Sequence, residues 1–531
     1  MSAPHYALIP SPAAPYCPRP LSPASPVRGE TEVLHVRGTG RPRTFTAAVV
    51  TACVLGSALQ AGSAGAVAGC AQESGHWAPT GYVSAAAYGA RGDGVTDDAA
   101  AVQCAVNSGS DVWFPTGTYE LGASVSLPTA LKLTGESDSP TPTVIRGTVP
   151  GLVLGETAAA TNTTRTGTIT LQDLFFDSIQ VGVNGTRTSA VLERNVFSDA
   201  RGHISQLNSP ANQQLVLNRV IGTNRVTDSV FLHGDRSTDA VAMSLYRTTG
   251  LSIQRNVIGL ELSESGRLED WPGHANWTER SSDGTVNPSP ARVSLPAKLA
   301  ALRTALALGD SQGHYRSGLY TGFDSLLNVD SNIFDADPAT PSLRDHAAYL
   351  KGVSGRFTRN WIRGWPNAAE GGVKVRNSDG PLTVGANRLV DTPVLLYVYS
   401  DPTYPLTLRD VDVCANVLEI ATHDDPAHAG ITYYENVRPA GLSGIRVHRN
   451  TFADPTHTTG VTAGQLAPAV LSQTEADAIT VYASNSYQDT GGTVPVTVPA
   501  GITLAPVAGA PASDACGGLT APSYAARAYG G

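Results

Sequence analysis

The chain has 531 residues, 54 of them Gly and 36 Pro, with 6% aromatic and 15% charged residues and a formal net charge of −9. That is little charge for an ordinary globular enzyme, and it suits many short strands joined by tight turns. The acidic balance disfavours nucleic acid and anionic membranes as partners, since both select basic surfaces.

Residues 1–43 are rich in Pro, Ser and Arg and show no apolar periodicity, which predicts an unstructured leader. An alternative start codon at Val33 or Val36 would make part of it an annotation artefact. Residues 44–70 follow the order of a secretory signal: Arg41-Pro-Arg43, an apolar run from Phe45 to Leu59, then the small residues Ala61 to Gly69. The apolar run is too short for a stable membrane span. Cleavage after Ala66 or Ala68 fits the small-residue rule, and Val67-Ala68-Gly69-Cys70 also resembles a lipoprotein box, in which Cys70 would carry a lipid anchor. Without residues 1–69 the chain keeps 31 Lys and Arg against 43 Asp and Glu. It also keeps Cys70, Cys104, Cys414 and Cys516, enough for two disulfides of open pairing and without zinc-ligand spacing.

The ordered part opens with Val83 to Asp98, then Ala99 to Val106, then Asp111-Val-Trp-Phe-Pro-Thr-Gly-Thr-Tyr119. Gly92-Asp93-Gly94 reads as a turn, Thr96 or Asp97 as the cap of a short helix, and Val112 to Phe114 as a strand. Asp93, Asp97 and Asp98 lack the spacing of a calcium loop and read as turn and cap residues. Tyr88-Gly-Ala-x-Gly-Asp-Gly-x-Thr-Asp-Asp98 followed by Phe114-Pro-x-Gly-x-Tyr119 resembles the opening segment of the pectate lyase superfamily. The resemblance implies an all-β, right-handed parallel β-helix, a fold that hosts several chemistries.

A unit of Asn followed by apolar residues recurs at Asn195, Asn218, Asn256, Asn332, Asn360, Asn387, Asn416, Asn450 and Asn485, with steps of 28, 27, 29, 34 and 35 residues after Asn332. A period of this size without long helices is the mark of a β-solenoid, here over residues 75–490, with each Asn at the same corner. The step from Asn256 to Asn332 is 76. It predicts an insertion over about 259–318, holding a helix from Ser294 to Leu308 and the aromatics Trp271 and Trp277, which would stack on sugar rings or anchor the loop. Residues 491–531 are rich in Pro, Gly and Ala and predict a low-complexity tail, pinned by Cys516.

Lys351, Arg356, Arg359, Arg363, Lys374 and Arg376 crowd into two consecutive coils, and Lys351 and Lys374 are two of only four lysines. Lys351 stands nine residues before Asn360 and Arg376 eleven before Asn387, with Ser378-Asp-Gly380 taking up the difference. The two would project from neighbouring rungs about 4.8 Å apart. By the same count Arg247, Asp324, His346, Lys374, Tyr399 and Tyr434 are candidate substrate contacts. Like-charge repulsion would lower the Lys351 pKa, giving a base for the proton alpha to a carboxylate; Arg376 would neutralise that carboxylate or meet the departing oxygen, and Tyr399 is an alternative donor. A Lys and an Arg on successive coils resembles the alginate lyase and chondroitinase B family, whose Lys base and Arg acid map onto Lys351 and Arg376. Calcium is the cofactor that resemblance implies, although Arg344-Asp345-His346 stands where the family has its acidic calcium pair. These features predict a secreted polysaccharide lyase acting on an acidic glycan. Two alternatives are a glycoside hydrolase using Asp324 with Asp330 or Asp424 with Asp425, and a glycan-binding or tailspike-like solenoid.

Overall fold

The structure, a computed structural model, describes residues 70–128, 130–155, 167–185, 188–198, 213–232, 240–260, 298, 301, 315–335, 346–365, 372–401, 404–419, 430–437, 441–453, 478–489, 492–496 and 516–522. The expected leader and signal, Trp271, Trp277, Asp424 and Asp425 lie outside these residues. So does most of the insertion, of which Lys298 and Ala301 are described as helical.

The chain winds as a right-handed parallel β-helix. Each coil contributes one strand to each of three sheets. In the best-defined coil His346–Lys351 lies in sheet C, Gly355–Thr358 in sheet A and Trp361–Arg363 in sheet B; the next coil repeats this with Val373–Arg376, Asp379–Gly385 and Arg388–Val390. Among the described residues sheets A and B have 14 strands each, whereas sheet C has nine, running from Val153–Gly155 to Ile431–Glu435. Alternate residues point inward and stack coil on coil, as Val329, Phe357, Val384, Val413 and Val447 do in sheet A. Phe176, Phe197 and Phe231 stack face to face through sheet B, with centroids 5.2 and 4.5 Å apart. Each such ring removed from water contributes about 1.5–3 kcal/mol.

The turn from sheet A into sheet B sets the register. Its first residue is left-handed in coil after coil, at Arg194, Asp228, Arg255, Ser331, Arg359, Ala386, Ala415, Arg449 and Ser484, with φ between 51° and 58°. Such a conformation costs a non-glycine residue about 1–2 kcal/mol. The next residue offsets that cost. Asn360 donates from Nδ2 to the Val329 carbonyl of the coil before, and its backbone N–H and Nδ2 both donate to Oδ1 of Asn387 in the coil after. The same pattern joins Asn256, Asn332, Asn387, Asn416, Asn450 and Asn485. Asn256 bonds Asn332 directly across the long step, so those residues lie on adjacent coils and the excess between them is an excursion.

One rung differs from the expected ladder. Asn218 ends a sheet C strand, and the corner position belongs to Ser229, whose hydroxyl accepts the Asn195 N–H and whose N–H bonds Asn256. Serine lacks an amide group, so the Asn motif skipped this coil and matched Asn218 in its place.

The N-terminal end is closed by a helix. Helix Ala99–Asn107 lays Val102, Ala105 and Val106 over the first coil, with Asp97 accepting the Ala99 N–H. Asp93 and Asp98 also accept backbone N–H groups, so all three acids serve the turn. The pairings are Cys70–Cys104 and Cys414–Cys516, and the second ties the tail to a sheet A strand. With Cys70 held in a disulfide, its sulfur is engaged, and the expected lipid anchor at Cys70 does not fit this state.

The two asparagine environments give a discriminating test. Asn360→Ala orphans buried donors and a carbonyl on two coils and is expected to cost about 2–4 kcal/mol in urea unfolding. Asn218→Ala removes a buried side chain whose Oδ1 has no partner; it should cost less than about 1 kcal/mol beyond the small cavity it leaves.

Candidate functional site

The outer face of sheet C gathers most of the candidate residues. Lys351 pairs in register with Arg376, Arg376 with Tyr397, and Tyr397 with Tyr434. Tyr349 and Lys374 form the parallel pair two residues earlier, on the same face because side chains alternate. The expected apposition of Lys351 and Arg376 therefore holds, but the partner that follows them is Tyr397 and not Tyr399.

The predicted six-cation cluster divides into two groups. Arg356 is exposed on sheet A, Arg359 sits at the corner with its Nε 2.8 Å from Asp330, and Arg363 lies on sheet B with Asp335 at 2.9 and 3.0 Å. Those three belong to other faces. Lys351, Lys374 and Arg376 remain together, 7%, 2% and 1% exposed, so this is a covered site and not an open cationic groove.

A carboxylate that the sequence reading did not select closes the site. Asp401, on the connection between Val394–Val398 and Thr407–Cys414, places Oδ2 3.5 Å from Lys351 Nζ and 3.2 Å from Arg376 Nη2. The expected environment of like charge around Lys351 thus also contains an acid. Asn377 sets the start of this connection by a reciprocal pair: its Nδ2 donates to the Tyr399 carbonyl and its Oδ1 accepts the Tyr399 N–H. Arg376 Nη1 donates to the Tyr349 hydroxyl at 2.6 Å, and its guanidinium lies 5.0 Å from the Tyr399 ring centre. The His346 ring is 4.7 Å from that of Tyr349.

Aromatic rings hold the ammonium groups in place. Lys351 Nζ stands 4.1 Å above Tyr404, which stacks on Phe323 at 4.0 Å and 3°. Arg247 flanks Phe323 at 5.6 Å. Tyr404 fits between two coils because Gly322 and Gly352 lack side chains: a Cβ on Gly322 would come within 2.8 Å of its hydroxyl, and Gly352, with φ of 64°, within 3.1 Å of its ring. Burial raises the Tyr404 hydroxyl far above the ordinary phenol range, with Tyr320 and Tyr246 adding to it, so the ring stays neutral. Lys374 Nζ lies 4.4 Å above Tyr397, which stacks nearly parallel to Tyr434 and Tyr399 at 5.5 and 5.6 Å. Tyr434 is 48% exposed and offers a flat ring at the end of the row.

Asp324 is not a groove residue. It is fully buried and accepts hydrogen bonds from the Thr248 N–H, the Thr248 hydroxyl and the Gly322 N–H, joining two coils across the insertion. Asp330 sits at another corner with Arg359, so the Asp324 and Asp330 pair needed for hydrolysis is not assembled. Nor does the arrangement around Lys351 fit calcium, which takes several oxygens, since Asp401 there faces two cations. Among the described residues no group of three or more His, Cys, Asp or Glu side chains is gathered for a metal.

Tyr349, Tyr397, Asp401 and Tyr404 were missed in the sequence. Tyr349 was within reach through its two-residue spacing from Lys351. Asp401 and Tyr404 lie on an aperiodic connection and gave no signal.

Residues 82–164 match the family described as rhamnogalacturonase A/epimerase, pectate lyase-like. This agrees with the resemblance of the opening segment to the pectate lyase superfamily. The pre-neck appendage protein of Bacillus phage phi29 and the preneck appendage protein of Bacillus phage PZA are each 47% identical over 53 residues, 10% of this chain and 6% of theirs. Among solved structures, the A-module of the Azotobacter vinelandii mannuronan C-5 epimerase AlgE4 is 14% identical, with 81% of this chain and all of that one covered and a TM-score of 0.35. A GH87 alpha-1,3-glucanase from Streptomyces thermodiastaticus is 12% identical over 79% and 71% of the chains, with a TM-score of 0.37.

Burial dominates the Asp324 carboxyl and pushes it up to about 6 against its three donors. The folded protein then holds a proton that the unfolded chain has released, and the stability this contributes below about pH 4 is lost as pH rises through about 6. Wild type is expected to lose about 3 kcal/mol relative to Asp324→Asn between pH 4 and 7 in urea unfolding.

Proposed function

We propose that this chain is an exported enzyme that cleaves a uronate-containing polysaccharide by β-elimination on the outer face of sheet C. The observation that carries the reading is the register pairing of Lys351 with Arg376 around one carboxylate oxygen, beside a tyrosine hydroxyl bonded by the same arginine. Two disulfides agree with an oxidising compartment.

In this reading Arg376 holds the sugar carboxylate and stabilises the charge that builds on it as the neighbouring C5–H bond breaks. Lys351, in its neutral form, takes the C5 proton. The electron pair becomes the C4–C5 double bond as the C4–O4 bond breaks, and O4 takes a proton from Tyr349, whose phenol is polarised by the guanidinium donor. Tyr397 and Tyr434 offer stacking surfaces for the next sugar along the row. Tyr399 faces the guanidinium with its ring and is less well placed to donate a proton.

A second reading is a glycan-binding solenoid without chemistry. Its support is the burial of Lys351 and Arg376 around Asp401, as in a structural charge cluster.

Absorbance of unsaturated ends, followed with new reducing ends over alginate, pectate, chondroitin, hyaluronan and glucuronan, separates the readings. The enzyme reading expects both signals to rise on at least one polymer. It also expects Lys351→Ala to lower kcat by about 10²–10⁴ and Tyr349→Phe to lower it less, with KM nearly unchanged. Reducing ends without absorbance would establish hydrolysis instead. Silence from the wild-type protein on every polymer would leave the binding reading.

A further inference from the structure

The outer face of sheet A holds a cavity that the residues on sheet C do not touch. One row of its side chains runs Lys132, Thr170, Val191 and Arg225, each in register with the next. Long side chains at the two ends and short ones between them leave a depression spanning three coil steps, about 14 Å. Its volume is about 410 Å³. Thr168 and Thr223 stand two residues before Thr170 and Arg225 and line one side, while Glu193, two after Val191, lines the other.

The charges in this wall do not cancel. Arg225 Nε donates to one Glu193 oxygen, which settles that pair. Lys132 makes no ion pair among the described residues, and its ammonium stands 5.4 Å from the Tyr82 ring. The second Glu193 oxygen, Oε2, is buried at the wall without a hydrogen-bond partner, so a ligand hydroxyl reaching it would satisfy an acceptor that the fold leaves unmatched. The cavity thus combines one uncompensated cation, three threonine hydroxyls and a carboxylate acceptor. At the N-terminal edge of the same face Trp113 is in register with Thr134, and Trp77 packs edge-on against Trp113 at 4.8 Å while 68% exposed. That indole offers a flat apolar surface beside the polar cavity.

We propose that this cavity is a second glycan site, on a different face from the Lys351 and Arg376 pair, which takes one uronate residue of a bound chain. The sugar carboxylate meets Lys132, a compact point charge, its hydroxyls meet the threonines and Glu193, and the chain continues towards Trp77. The inference takes from the reading above only the class of glycan and needs no cleavage. Holding the polymer on a second face raises its effective concentration at sheet C.

Lys132 is half-buried, whereas the other three lysines, Lys298, Lys351 and Lys374, are buried. Acetylation of the folded wild-type protein, read by mass spectrometry, therefore reports on Lys132. Trimers of galacturonate, mannuronate and glucuronate are added in turn, with maltotriose and sodium sulfate as controls. At least one uronate trimer, at about ten times its dissociation constant, is expected to slow acetylation of Lys132 about ten-fold, with neither control doing so. No protection by any trimer overturns the proposal. Equal protection by maltotriose, or by sulfate as an adventitious ion only, overturns it too. Calorimetric titration with the protecting trimer is expected to show one binding event weakened about ten-fold in Lys132→Met, which keeps the apolar stem, and unchanged binding by that variant overturns the site. The labelling needs no variant, so it decides the matter if Lys132→Met does not fold. Neither readout involves turnover. Protection without unsaturated products would keep this site and sink the lyase reading, and unsaturated products without protection would do the reverse.

Discussion

Registration at one corner governs the rest of this molecule. Where sheet A turns into sheet B, a left-handed residue and a following amide repeat in nearly every coil, and each amide bonds both neighbours. A one-residue slip would send every inward side chain to solvent. The ladder prevents it and lets the opposite side of each coil vary in length. Lys351 lies nine residues before its asparagine and Arg376 eleven, yet they face each other, because the two extra residues are taken up between Arg376 and Leu382, which pairs with Gly355.

The same frame separates two uses of charge. On sheets A and B and at their corner, arginines reach one coil across to an acid, as Arg255, Arg359, Arg363 and Arg446 do, and each pair is settled locally. On sheet C, Lys351, Lys374 and Arg376 share tyrosine faces, and among the described residues the carboxylate that meets two of them arrives from outside the sheet. Buried cations gathered on one face, held by tyrosine rings and met by a residue from a connection, make that face the candidate for binding or chemistry.

Much of the fold was legible in the sequence because the repeat is an amide at a fixed corner, and the same motif gave the coil period, the insertion and the pairing of Lys351 with Arg376. It failed at Asn218, where a serine took the corner and an unrelated asparagine lay nearby. The site was half legible. Strand residues follow the period of two, so Lys351, Lys374, Arg376 and Tyr434 were found and Tyr349 was findable. Asp401 and Tyr404 return to the site from a connection whose path no period encodes. Asp324 misled for a related reason: counting back from Asn332 places it near Lys351, but not whether it faces the groove or the interior.

Elimination on the outer face of sheet C, as proposed above, breaks a glycan by removing a proton and not by adding water. Mass spectrometry of the products formed from a defined uronate oligomer in water enriched with heavy oxygen tests that claim most directly. Elimination gives fragment pairs whose masses add up to that of the intact oligomer, with no heavy oxygen at the cleaved bond. Fragments that together exceed it by one labelled water would contradict elimination and place the chemistry on residues other than Lys351, Arg376 and Tyr349.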